Sequence, residues 1–211
     1  MSDVLKRIGE LKIVPVISLD DAADAADLGD ALTAGGLPIA EVTFRTDAAE
    51  QAIRALARRG DLLVGAGTVL NVETAKIAVG AGASFIVSPG FNPKVVGWCV
   101  ANNVPITPGV ATPTEVEMAL DHGVTVVKFF PAELLGGIKM LKAISAPYPM
   151  IRFMPTGGIT PENLEEYLNF PKVIACGGTW MVSKEMLAGK QFDVIRDLSR
   201  QAVEIVGRVR K

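Results

Sequence analysis

Lys128 stands in the run Val124-Thr125-Val126-Val127-Lys128-Phe129-Phe130-Pro131, whose β-branched and aromatic residues read as a buried strand. A lysine is almost never fully buried alone, so one placed here must pair, snorkel to water or shed its charge. An uncharged amine at a strand's end is a nucleophile for carbonyl carbon, the first requirement of Schiff-base chemistry. A second run, Ile39-Ala40-Glu41-Val42-Thr43-Phe44-Arg45, puts Glu41, Thr43 and Arg45 on one face by period-two alternation. That face offers a carboxylate for proton transfer and a guanidinium for an anion. The same residues also suit a plainer role, either as a Glu41–Arg45 pair inside the fold or as a structural Lys128–Glu41 salt bridge.

Other runs end in glycine. Gly65-Ala66-Gly67-Thr68, Ser88-Pro89-Gly90 and Thr107-Pro108-Gly109 close three of them, while Pro155-Thr156-Gly157-Gly158-Ile159 and Cys176-Gly177-Gly178-Thr179-Trp180 close the last two. Paired glycines let backbone N–H groups converge on an anion, so a phosphorylated ligand is expected there. No metal is expected, because one histidine and two distant cysteines cannot assemble a Cys/His cluster and strand-end carboxylates are too few for an oxygen cage. His122, in Leu120-Asp121-His122-Gly123, reads as a helix-end residue satisfying the final carbonyls. Ser88 has no histidine in reach of the pattern, which disfavours serine-hydrolase chemistry. Cys99 and Cys176 lie among apolar neighbours and read as reduced core residues.

These groups need a scaffold that brings strand ends together. Eight β-rich runs occur, at Lys12–Ser18, Pro38–Phe44, Leu62–Ala66, Ser84–Val87, Val104–Thr107, Val124–Phe129, Met150–Met154 and Val173–Ala175. They begin 20 to 26 residues apart, room for one strand, one helix and two short loops. Asp20–Ala34 and Thr46–Arg59 carry apolar residues at helical spacing. Helix starts are expected at Asp20 or Asp21, Thr46, Asn71, Asn92, Thr112 and Thr160, and left-handed ends at Gly35, Gly60, Gly80 and Gly123. With no linker between halves and no Gly-x-Gly-x-x-Gly turn after the first strand, the pattern favours a closed (β/α)8 TIM barrel, an α/β fold, over an open sheet. A single domain, 1–211, is expected. In such a barrel the chemistry gathers at the C-terminal ends of the strands.

The chain has 211 residues, 49% of them hydrophobic, with 21 basic against 23 acidic side chains and a formal charge of −2. No run of either sign marks a surface for nucleic acid or an anionic membrane, and no stretch is apolar enough to span a bilayer. Asp3, Lys6, Arg7 and Glu10 interrupt any signal-peptide stretch, so a cytoplasmic location is expected.

Taken together and in order, six segments make the chain resemble the bacterial class I aldolases of 2-keto-3-deoxy-6-phosphogluconate (KDPG) and 4-hydroxy-2-oxoglutarate (KHG). They are Glu41-Val42-Thr43-Phe44-Arg45-Thr46, Gly65-Ala66-Gly67-Thr68-Val69-Leu70, Ser88-Pro89-Gly90, Thr107-Pro108-Gly109-Val110-Ala111-Thr112, Lys128-Phe129-Phe130-Pro131-Ala132-Glu133 and Pro155-Thr156-Gly157-Gly158-Ile159. The resemblance implies a lyase of the Entner–Doudoroff pathway that needs no cofactor and assembles as a homotrimer. It implies that Lys128 forms the imine with the substrate ketone and that Glu41 is the general acid/base. Arg45 and Thr68 would hold the pyruvyl portion, Pro89 and Phe130 would wall the imine, and Thr156, Gly157, Gly158, Gly178 and Thr179 would take the rest of the substrate and its phosphate. Threonine at 179 replaces the serine common in the family but keeps the hydroxyl. Three rivals stay open: an aldolase for the C4 epimer, 2-dehydro-3-deoxy-6-phosphogalactonate; a phosphosugar epimerase or isomerase using Glu41, which needs no caged lysine; and a non-catalytic phosphometabolite-binding barrel.

Overall fold

A computed structural model describes residues 2–209. The elements run α1 (Asp3–Leu11), β1 (Ile13–Ile17), a 3-10 turn (Ala22–Asp24), α2 (Ala25–Ala34), β2 (Ile39–Thr43), α3 (Ala49–Arg59), β3 (Leu63–Gly67), α4 (Val72–Gly80), β4 (Phe85–Val87) and α5 (Pro93–Ala101). They continue with β5 (Ile106–Thr107), β6 (Gly109–Val110), α6 (Pro113–Asp121), β7 (Val126–Phe129), α7 (Gly137–Ser145), β8 (Arg152–Phe153), α8 (Pro161–Leu168), β9 (Cys176–Gly178), α9 (Lys184–Ala188) and α10 (Phe192–Val209).

Every strand pairing is parallel. Hydrogen-bonded neighbours run β5-β4-β3-β2-β1-β9 in one sheet and β6-β7-β8 in the other. Only Pro108 separates β5 from β6, and the bridges Phe153–Val173 and Thr156–Gly177 join β8 and its following turn to the β9 side. The two sheets thus close into one ring of eight positions, with β5 and β6 sharing one. Pro108 lacks an N–H and so interrupts the ladder, which is why the single expected strand at 104–107 becomes two short pieces. Ile13, Ile17, Ile39, Phe85, Phe129 and Phe153 on these strands are each at most 1% exposed. Such burial is worth roughly 1.5–3 kcal/mol per large apolar side chain. Among the described residues no helix is long and apolar enough to cross a membrane.

The eighth strand lies later than its β-propensity suggests. Val173 makes only an isolated bridge, and the residues that pair with β1 are Cys176, Gly177 and Gly178. The reason is steric: a Cβ at Gly177 would lie 2.4 Å from Thr156 Oγ1, and one at Gly178 would lie 2.0 Å from the Trp180 ring. No propensity scale reports that kind of close approach.

Caps at Asn71 and Asn92 form as expected, and Asp21 caps the 3-10 turn. Thr112 and Thr160 open α6 and α8, with Glu115 and Asn163 reaching back to their backbone N–H groups. Thr46 does not cap α3; its hydroxyl donates to the Leu19 carbonyl, and the helix begins at Ala49. Gly60 and Gly123 are left-handed, but beside Gly35 and Gly80 the left-handed residues are Gly36 and Gly82, with φ of 79° and 106°. The N-terminal α1 was not foreseen; Ser2 Oγ caps it by accepting from the Leu5 N–H at 3.3 Å, and Ile8 anchors it in the core.

Candidate active site

Lys128 sits in β7 and is 5% exposed. Of the three outcomes open to a strand lysine it takes pairing: its Nζ lies 3.3 Å from Oε1 of Glu41, which is wholly buried in β2. The two residues are 87 apart in sequence and meet because β2 and β7 face each other across a closed ring. Gly67, at the end of β3, makes room for the carboxylate, since a Cβ there would lie 2.3 Å from Glu41 Oε1. Glu41 Oε2 has no protein partner although it is buried. A buried carboxylate oxygen left open beside an amine is placed to take or give a proton. The Phe130 ring centroid is 5.3 Å from Lys128 Nζ, within cation–π reach, and covers the amine on that side.

β2 ends at Thr43, so Arg45 stands in the following turn, exposed and in no ion pair among the described residues. The Glu41–Arg45 pair therefore does not form, and the guanidinium is available to an anion. Arg45, Lys128, Phe130, Thr156, Gly157, Gly158, Gly178 and Thr179 line one cleft of about 200 Å³, together with Val16, Ile159 and Gly177. Gly157 and Gly158 are consecutive left-handed residues, with φ of 96° and 80°, a backbone shape that side chains resist.

Glu41 lies beneath that lining, behind Lys128, and Thr68 and Pro89 are not in it either. Thr68 follows Gly67 and holds φ +56°, an unusual conformation for a β-branched residue. Pro89 packs its carbonyl against Gly109, where a Cβ would come within 2.0 Å of it, and Gly109 is the strand partner of Lys128. Thr68 thus sits one strand from Glu41, and Pro89, after β4, reaches the strand next to Lys128 through Gly109. Sequence reasoning missed Val16, whose setting in the uniformly buried β1 is that of any core valine, and Ile159, which follows the glycine pair.

Among the described residues no group of three or more His, Cys, Asp or Glu side chains is placed to hold a metal ion. His122 caps α6 with Nδ1 2.9 Å from the Met118 carbonyl, and its ring meets Phe91 edge-on. Both cysteines are free and buried. Burial pushes the Cys99 thiol up to about 11 and that of Cys176 higher still, so neither is a thiolate near neutral pH.

A profile of the KDPG and KHG aldolases matches residues 4–198. Over 208 residues the chain is 50% identical to the 2-dehydro-3-deoxy-phosphogluconate aldolase of Treponema pallidum, covering 98% of this chain and 99% of that protein. It is 42% identical over 193 residues to the KHG/KDPG aldolase of Escherichia coli K12, covering 91% of each. Among solved structures, the KDPG aldolase of Legionella pneumophila, with pyruvate captured as a covalent carbinolamine, superimposes with a TM-score of 0.91 at 38% identity, covering 95% of this chain and 98% of that one. Sequence and fold agree over nearly the whole length: the chain belongs to the KDPG and KHG aldolase family.

Proposed function

We propose that this chain, as one barrel domain, cleaves KDPG to pyruvate and glyceraldehyde 3-phosphate through an imine on Lys128, and that it also acts on KHG. The observation that carries the reading is the buried Lys128–Glu41 contact of 3.3 Å at the edge of a cleft that holds a free arginine at one side and a glycine pair at another. An epimerase or a passive binding barrel has no use for a caged strand lysine.

The amine gives a proton to Glu41 and attacks the C2 ketone, forming the Nζ–C2 bond of a carbinolamine; loss of water yields the protonated imine. That imine is an electron sink. Glu41, directly or through water, removes the C4 hydroxyl proton, the C3–C4 bond breaks, and its electron pair enters the imine to give an enamine as glyceraldehyde 3-phosphate leaves. Glu41 returns a proton to C3, and water then hydrolyses the imine to release pyruvate and restore the amine. Arg45 offers a bidentate fork to the substrate carboxylate, while Phe130 shields the reacting nitrogen. Thr68 and Pro89 border the pyruvyl end. Thr156, Gly157, Gly158, Gly178 and Thr179 receive the polyol and phosphate. The reading includes a cytoplasmic homotrimer serving the Entner–Doudoroff pathway. Sedimentation should give three chains per particle.

Borohydride with pyruvate should trap one adduct, located on Lys128 by peptide mass spectrometry. An adduct on another lysine, or none, overturns the imine. Cleavage of the gluconate epimer should exceed that of the galactonate epimer; the reverse order would move the assignment to the epimer's aldolase.

A further inference from the structure

The Gly157–Gly158 loop is braced from outside the cleft. The Gly157 carbonyl accepts from the Glu133 N–H at 3.0 Å, and the Thr156 carbonyl from the Ala132 N–H at 2.8 Å. The Glu133 side chain packs directly against Gly158, where a Cβ would lie 2.6 Å from both Glu133 Cβ and Cγ. Its carboxylate accepts a hydrogen bond from the Tyr167 hydroxyl, which α8 carries into the core. Tyr167 is 1% exposed, and burial, reinforced by the bond to Glu133, pushes its phenol up, so it remains a donor through the working pH range. On the other flank Asn163 Nδ2 donates to the Gly158 carbonyl at 2.9 Å. Among the described residues neither Glu133 nor Tyr167 bonds to Lys128 or Glu41.

We propose that Glu133, fixed by Tyr167, is a positioning residue that holds the Gly157–Gly158 loop in its ligand-ready shape and thereby sets the preference for phosphorylated over unphosphorylated 2-keto acids. The inference rests on the reading above, in which this loop receives the phosphate. Two adjacent glycines have the largest conformational freedom to lose, so their shape must be imposed by neighbours. The brace acts on the far end of the substrate. KHG has no phosphate to place at that end, and pyruvate does not reach it.

The test compares the parent chain with Tyr167→Phe, Glu133→Gln and Glu133→Ala. Tyr167→Phe removes one hydroxyl from a packed ring and leaves the exposed carboxylate to water. It should raise KM for KDPG by about three- to tenfold, the size of one hydrogen bond, with kcat within twofold of the parent. KHG cleavage and C3 proton exchange of pyruvate should stay at parental values. Glu133→Ala should behave like Tyr167→Phe, and Glu133→Gln, which keeps an acceptor for the phenol, should restore the parental KM. Unchanged KM for KDPG in Tyr167→Phe overturns the inference, as does an equal loss on KDPG, KHG and exchange, which would mark a general structural role. Failure of the parent chain itself to cleave KDPG would instead overturn the functional reading beneath it.

Discussion

Replacing Gly67 by alanine would set a methyl carbon 2.3 Å from Glu41 Oε1, 2.9 Å from its Cγ and 3.0 Å from its Cδ. Ordinary contact begins near 3.4 Å, so the carboxylate must retreat by about 1 Å. The backbone cannot yield in its place, because Gly67 is hydrogen-bonded in register with Thr43 on β2, the strand that carries Glu41. A displacement of that size at a reacting group costs on the order of a hundredfold in rate. Overpacking adds a stability loss of about 1–3 kcal/mol, which for a chain of this length is a fall in Tm of roughly 2–12 °C. Lys128 is held by β7, and the three atoms nearest an added Cβ at residue 67 all belong to Glu41, so the imine should still form. The assay follows C3 proton exchange of pyruvate by NMR alongside borohydride trapping. Exchange should fall about a hundredfold while the trapped adduct on Lys128 persists. Parental exchange in a folded Gly67→Ala protein would refute the reasoning, since it would mean that the position of the carboxylate does not matter.

Three other outcomes follow from the same geometry. Lys128→Met leaves the unexposed Glu41 carboxylate uncompensated and should lower unfolding free energy in urea by about 3–5 kcal/mol; adding Glu41→Leu should recover most of it, and a single variant as stable as the parent would show that the pair is not energetically buried. Arg45→Gln should leave stability within about 0.5 kcal/mol, because the exposed guanidinium has no ion-pair partner among the described residues, yet raise KM for pyruvate about tenfold to a hundredfold; an unchanged KM removes Arg45 from carboxylate binding. The Cys99 thiol keeps its proton to about 11 when folded but ionises from about 9 when unfolded, so the unfolded chain gains on the folded one across that window. Stability should therefore fall as pH rises from 9 to 11, and fall less steeply in Cys99→Ala; equal slopes in the two proteins would contradict the assigned cause.

The barrel was legible because its signals are local. Alternating β-rich and alanine-rich runs, asparagine and threonine caps and the glycines at 60 and 123 each act within a few residues, and they repeat. Lys128 stood out because a cation inside a valine and phenylalanine strand breaks a local rule, the usual mark of a functional position. Its pairing with Glu41 stood among the open readings, but no local signal could select it, since the 3.3 Å contact spans 87 residues and depends on ring closure. Boundaries failed where tertiary contacts decided them. Thr46 spends its hydroxyl on the Leu19 carbonyl and is lost as a cap, and the last strand follows the fit of its glycines against β1 rather than the propensity of Val173-Ile174-Ala175.

Those glycines explain why the site lies where strand propensity is weakest. A TIM barrel ordinarily fills its interior with branched side chains in layers. Here Gly67 cedes that volume to Glu41 and Gly177 cedes it to Thr156, while Gly178 admits the Trp180 ring. Each glycine weakens its strand, and hydrogen bonding to well-packed neighbours must offset the loss: β3 is paired along its length with β2, and β9 with β1. Arg45, Gly157, Gly158 and Thr179 stand on turns above the strands, but Glu41, Lys128 and Thr156 do not. Glu41 and Thr156 occupy space taken from the core's top layer, and the residues that release it carry no reactive group of their own. A map of substitutions scored only by chemistry would pass over Gly67 and Gly177, yet a single methyl at either meets an oxygen of the site within 2.4 Å.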